Sequence, residues 1–130
     1  MTGTVLIEAA PGELIDKITI LEIKNDRISD PQKLKNVRIE LAALQATRDD
    51  AVPVSQELTA ISRRLREVNE ALWVIEDDIR DCERDGDFGP RFVELARSVY
   101  KTNDVRAALK KEINTLLGSR IVEEKSYTDY

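Results

Sequence analysis

From Ser55 to Glu83 the apolar residues Leu58, Ile61, Leu65, Val68, Leu72, Ile75, Ile79 and Cys82 recur at spacings of three and four. That period belongs to a helix with one apolar seam, and it fits a seven-residue repeat over almost four heptads. A helix of this length gains most of its stability from packing that seam, so a partner helix is expected along it. Leu72-Trp73-Val74-Ile75 is apolar on every side, because successive helical residues point about 100° apart. That stretch predicts cover from more than one neighbour. Trp73 lies off the seam and shares a face with Arg66, Asn69, Glu76, Asp77 and Arg80. It reads either as a satellite core residue among solvated neighbours or as the aromatic floor of a polar cleft.

The same patterning places the other elements. A first helix over residues 13–28 carries Leu14, Ile15, Ile18, Leu21 and Ile28 on one face, with Asn25 among them. Ile20 and Ile23 project from the opposite side. A surface helix needs only one stripe. Ile20 and Ile23 therefore await either the chain's own leader and tail or another subunit, and they are the candidate interface residues. Asp30 is a cap and Pro31 is preorganised for a first helical position, which starts a second helix over 31–49 on Leu34, Val37, Leu41 and Leu44. The connection to the central helix (about 55–84) is short and contains Pro53, which predicts an antiparallel, coiled-coil-like hairpin of helices two and three. The far half of the central helix would then project, covered by the first and fourth helices. Beyond Gly86, Gly89-Pro90 opens a helix over 90–101 on Phe92, Leu95, Ala96 and Val99. The stripe resumes, displaced, at Leu109, Ile113, Leu116 and Leu117, which predicts a break at Thr102-Asn103-Asp104 with Asn103 capping a fifth helix over 104–117. In the leader (1–12), Val5-Leu6-Ile7 is a short strand or a segment packed on the core. The polar tail (118–130) pairs with it or lies beside it through Ile121-Val122. The expected architecture is a single all-α domain: a bundle of four to five helices on a long antiparallel hairpin, with short extended termini.

Composition narrows the chemistry. The chain has 130 residues, a net charge of −5 and 35% charged residues. That balance disfavours nucleic acid or an anionic membrane as the main partner. One cysteine, Cys82, excludes an internal disulfide and sits on the seam as a buried thiol. The absence of a disulfide framework and of a positively charged leader fits a cytoplasmic location. There is no histidine, which removes histidine-based zinc sites and histidine general bases. No metal and no cofactor is expected. Residues 76–87 hold seven acids against two arginines, Arg80 and Arg84, at a helix C-terminus where carboxylates oppose the macrodipole. Salt bridges to Arg91, Arg97, Lys101, Arg106, Lys110 and Lys111 of the next helix are the expected compensation, with a divalent cation as the alternative. The spacing is not that of a calcium loop.

Five stretches carry a resemblance: Gly12 to Lys24, Trp73 to Arg80, Phe88 to Phe92, Tyr100 to Asp104, and Ile121 to Tyr127. Together they resemble a small bacterial domain family of unknown function over nearly the whole chain. The resemblance implies a bacterial cytoplasmic helical domain, sometimes attached to larger glycan-related or repeat-containing chains, and it supplies no activity. A second likeness covers one helix. Leu14-Ile15-Asp16-Lys17-Ile18, followed by Arg27, is similar to the first helix of all-helical chorismate mutases, which hold a dianion among Arg and Lys. Glu13 and Asp16 stand where that helix should carry an early basic residue.

Two functions follow from these readings. The first is a non-enzymatic interaction or assembly module, expected to have a homo-oligomeric or other protein partner; it rests on the long seam, the Ile20/Ile23 stripe and the lack of a catalytic signature. The second is a binder or enzyme for a small anionic metabolite, using Lys17, Arg80, Tyr100, Asn103 and Arg106 near Trp73.

Overall fold

The computed structural model describes residues 3–130; Met1 and Thr2 of the leader lie outside them. Four helices follow one another: α1 (Pro11–Arg27), α2 (Pro31–Ala51), α3 (Gln56–Asp85) and α4 (Pro90–Leu116), and no strand occurs among the described residues. Each start has a local cause. Pro11, Pro31 and Pro90 occupy first helical positions, Asp30 accepts from the Lys33 amide, and Ser55 accepts from the Leu58 amide. Gly86 closes α3 in the left-handed region at φ 68°, where a side chain would be strained.

The pairing of helices differs from the expected hairpin. α2 packs on α1, α3 packs on α4, and α1 also meets α3 and α4; α2 and α3 do not pack together. Ile18 and Leu21 of α1 form one cluster with Val37 and Leu41 of α2. Ile15, Leu58, Leu65, Leu109 and Ile113 form the other, where α1, α3 and α4 converge. A groove of about 710 Å³, bordered by Arg48, Val52 and Leu58, lies where the end of α2 faces the start of α3. The matching seams of α2 and α3 are real but face different partners. α1 and α2 are joined by only three residues, 28–30, and α3 and α4 by 86–89. These helices are antiparallel neighbours, whereas the equally short connection 52–55 joins α2 and α3 without pairing them, so connection length alone does not choose the partners.

α4 is a single helix without a break at Thr102-Asn103-Asp104, so the expected fifth helix is its second half. The apolar stripe is not displaced: Phe92, Leu95, Val99, Thr102, Arg106, Leu109 and Ile113 keep one heptad row. Arg106 interrupts its apolarity and α1 compensates the charge. α1 is covered internally. Ile23 is 1% exposed, so the chain itself buries it, and Ile20 is half-buried. Val5-Leu6-Ile7 neither forms a strand nor packs on the core, being 83%, 96% and 80% exposed, whereas Ala10 at the end of the leader is buried. Glu8 of the leader forms an ion pair with Arg120 of the tail.

Among the described residues the hydrogen bonds and ion pairs of α1 with α3 stop at Glu70, which Arg27 holds, short of the far half expected to lie under α1. Trp73 is half-buried there, Val74 is exposed and Cys82 is a buried free thiol. The acids at this end do not find the predicted bases. Among the described residues their ion pairs run within α3, Glu76 with Arg80 and Arg84 with Asp81 and Asp85. Arg97 pairs instead with Glu94, Arg106 with Asp16, and Lys110 with Glu13 and Glu123.

Candidate functional site

Polar residues converge where α1 crosses α3 and α4. On α1, Gly12, Asp16, Thr19 and Ile23 follow at spacings of four, three and four, which makes one helical row, and all are buried. Asp16, 1% exposed, accepts two bonds from Arg106, from Nε at 3.0 Å and Nη2 at 2.5 Å. Asn69 donates to Asp16 Oδ1 and to Thr19 Oγ1, both at 2.9 Å, while the Thr19 hydroxyl donates to the Asp16 carbonyl at 2.8 Å. Among the described residues no buried side-chain polar atom lacks a partner. A buried charge is tolerated only under such full pairing. The hydrogen bonds that Arg106 donates to Asp16 raise its pKa above the ordinary arginine value, more than burial lowers it.

One turn along α4, Lys110 reaches α1 and the tail together. Its Nζ donates to Glu13 at 2.7 Å and lies 3.0 Å from Glu123, with the side chain only 10% exposed. Burial pulls this ammonium towards neutrality, but the bonds to Glu13 and Glu123 outweigh it and hold its pKa above the ordinary lysine value. Beside it the backbones nearly touch. The Gly12 amide donates to Asn114 Oδ1 at 2.7 Å, and a Cβ on Gly12 would stand 2.4 Å from the Lys110 carbonyl oxygen.

The tail returns over this face of α4. Gly118, at φ 65°, reverses the chain. Asp104 accepts from Lys125 Nζ and from the Tyr130 hydroxyl, both at 2.6 Å, and Tyr130 meets the Tyr100 ring edge-on at 5.3 Å. The bonds from Lys125 and Tyr130 hold the Asp104 carboxyl below the usual carboxylate range, and Asp104 in turn raises the Tyr130 pKa. Between tail and helix lies a cavity of about 1350 Å³, whose walls include Tyr100, Asn103, Arg106, Lys110, Lys111 and Tyr127.

The set named from the sequence is thus divided. Tyr100, Asn103 and Arg106 border one cavity. Arg80 is an exposed residue paired with Glu76 in α3, Trp73 lies outside the cavity, and Lys17 is exposed on α1 away from its walls. Arg27, the other basic residue of the chorismate-mutase likeness, pairs with Glu70 at 2.5 Å. Asp16, Asn69, Lys110, Asn114 and Glu123 were not singled out by sequence as site residues. The available signal was the buried row on α1 and the polar row Asn103, Arg106, Lys110, Asn114 on α4, at spacings of three, four and four. No group of acids, cysteine or histidine suited to a metal ion occurs among the described residues.

The DUF6165 family, described as a family of unknown function, matches residues 5–130. The chain belongs to that family. No curated protein and no solved structure matches it. Three of the stretches that carried the resemblance meet at this one place in the DUF6165 chain: Gly12 to Lys24 supplies Glu13 and Asp16, Tyr100 to Asp104 forms one wall, and Ile121 to Tyr127 forms the strap. No helix of the described residues is long and apolar enough to cross a membrane.

Proposed function

We propose that this protein binds a small polar ligand in the cavity between α4 and the tail. The observation that carries the reading is convergence. Asp104, Arg106, Lys110 and Tyr130, each held in its ordinary ionisation state by a hydrogen-bonded partner, all border this one cavity. A concavity on which charged and aromatic groups converge is the usual form of a small-ligand site. Three tyrosines, Tyr100, Tyr127 and Tyr130, give flat apolar faces, while Asn103, Asn114 and the cations give oriented polar contacts. This is the anionic-metabolite reading moved from Trp73 to the far side of α4. A thermal-shift screen against small acids, nucleotides and sugar nucleotides tests it. A ligand at a hundred times its dissociation constant adds about 2.7 kcal/mol, which raises the midpoint by several degrees. Tyr100→Ala and Asn103→Ala remove that shift, while Arg80→Ala keeps it. A hit that Arg80→Ala removes and Tyr100→Ala keeps would put the site elsewhere.

A second reading, the interaction module, is supported by the leader. Three consecutive apolar residues, Val5, Leu6 and Ile7, are each at least 80% exposed, which is more than scattered surface apolarity. With Ile23 already covered by the chain, this arm takes over the role first assigned to the Ile20/Ile23 stripe. Leu6→Asp with Ile7→Asp abolishes association with a copy or another protein under this reading; an unchanged sedimentation profile and an unchanged set of captured partners would discard it.

A further inference from the structure

Lys110 carries one positive charge and faces two carboxylates. Glu13 reaches it at 2.7 Å from the rigid first turn of α1, and Glu123 lies at 3.0 Å on the tail, 60% exposed. One carboxylate neutralises the ammonium. The second is surplus and is opposed by the first. The surplus group is also the one on the more weakly held segment. From Arg120 to Tyr130 the tail makes no backbone hydrogen bond to a helix among the described residues; its last such bond is Ser119 to the Asn114 carbonyl. Its remaining anchors are the pairs Arg120–Glu8 and Lys125–Asp104, the Tyr130 hydroxyl on Asp104, and one ring contact. Exposed pairs of this kind each add little. Beneath the strap, beside Lys110, lie Lys111, the Asn114 amide, and the Arg106 guanidinium with only Nε and Nη2 engaged by Asp16.

We infer that Glu123 holds the place of a ligand's anionic group, and that a small molecule bearing a carboxylate or phosphate enters the cavity by displacing Glu123 from Lys110 and lifting the tail. The inference rests on the ligand-binding reading above and adds the chemical class and the entry step. The tail is then a built-in competitor. Its removal from Lys110 raises the competent fraction, and apparent affinity rises in proportion.

The test uses the full chain with inorganic phosphate and citrate as separate probes, at constant ionic strength set with sodium chloride. Binding is followed by amide NMR, with the tail's mobility read from heteronuclear NOEs at residues 120–130. Saturable shifts at Lys110, Lys111 and Asn114 are expected, with loss of NOE along the tail. Glu123→Gln is expected to tighten binding about tenfold, as for a tail closed about nine-tenths of the time. Response to phosphate alone or to citrate alone assigns the anion. Lys110→Met is expected to lose the response; because it also strands Glu13, Lys111→Met, whose site is exposed, serves as the second variant and is expected to weaken binding without unfolding. Identical shifts with chloride, or binding indifferent to Glu123→Gln with the tail still ordered, would overturn the inference. In the latter case, saturable binding still lost in Tyr100→Ala preserves the ligand-binding reading; loss of both sinks both.

Discussion

Asp16 and Arg106 decide the local chemistry because neither is tolerable alone. A carboxylate 1% exposed and a guanidinium 31% exposed share two hydrogen bonds. Removing Arg106 leaves the buried Asp16 carboxylate without its counter-charge, which costs about 3–5 kcal/mol. Arg106→Ala is therefore expected to lower the melting midpoint by about ten degrees or more, and Asp16→Ala by less, because the guanidinium it leaves can reach solvent. Asp16→Leu combined with Arg106→Met recovers most of the Arg106→Ala loss, since an apolar pair carries no desolvation cost; a double variant no more stable than Arg106→Ala would show that the network, not the charge pair, governs the junction. At Gly12 the constraint is steric. An added Cβ would meet the Lys110 carbonyl oxygen at 2.4 Å, and backbone cannot move aside as a rotamer can. Gly12→Ala should cost about 1–3 kcal/mol in chemical denaturation. These residues were only partly legible. Arg106 was visible as a charge on an apolar row, which reads most simply as a broken helix. Its counter-charge lies on another helix, 90 positions away in sequence, and helical spacing carries no information about that partner.

The elements themselves were legible, because seams, prolines and caps are local; their partners were not. α2 and α3 present seams of the same period, and a period selects no neighbour when several helices share it. Connection length does not decide either, since 52–55 and 86–89 are equally short; the polar junction of Asp16 with Asn69 and Arg106 sets α1 against α3 and α4 instead. The result is that α3 outruns its cover. α1 reaches it at Arg66, Asn69 and Glu70, and beyond Glu70 no hydrogen bond or ion pair to α1 occurs among the described residues. A two-helix extension with one shared face opens more readily than the three-helix part. Amides of residues 72–85 and 90–100 should exchange faster than those of 58–70 and 106–113. Cys82, 1% exposed, is a second reporter. Leu65→Ala, at a site with no exposure in the three-helix part, should cost about 2–5 kcal/mol globally yet leave the thiol-labelling rate of Cys82 nearly unchanged. Labelling that accelerates in step with the lost global stability would mean the two parts open together.

For the whole molecule, the tail's attachment depends on pH in a window set by its own anchors. Asp104 has a depressed pKa in the folded chain, so its contribution is complete above the ordinary carboxylate value and is lost as pH falls through the lowered one. Lys110 and Tyr130 have raised values, so their contributions are complete below the ordinary lysine and tyrosine values and are lost as pH climbs through the raised ones. The strap is therefore expected to hold from about pH 5 to 9, loosening in acid below about pH 4 and in alkali above about pH 10. Heteronuclear NOEs at residues 120–130, taken beside a circular dichroism reading of the helices, separate tail release from unfolding. Asp104→Asn keeps the shape but removes the charge that Lys125 and Tyr130 share, and should loosen the strap already at neutral pH. Release near pH 6 would point to a titrating group other than these three. The sequence shows only a polar tail with three tyrosines nearby. That it returns to Asp104 follows from the reversal at Gly118, and the reversal also sets the surplus Glu123 against Lys110. A strap held by exposed charges over a buried cation is loose enough to yield to a stronger anion. The shifts of Asp104, Lys110 and Tyr130 all lead away from neutral pH, so under the inference above release there is left to a competing ligand rather than to these protons.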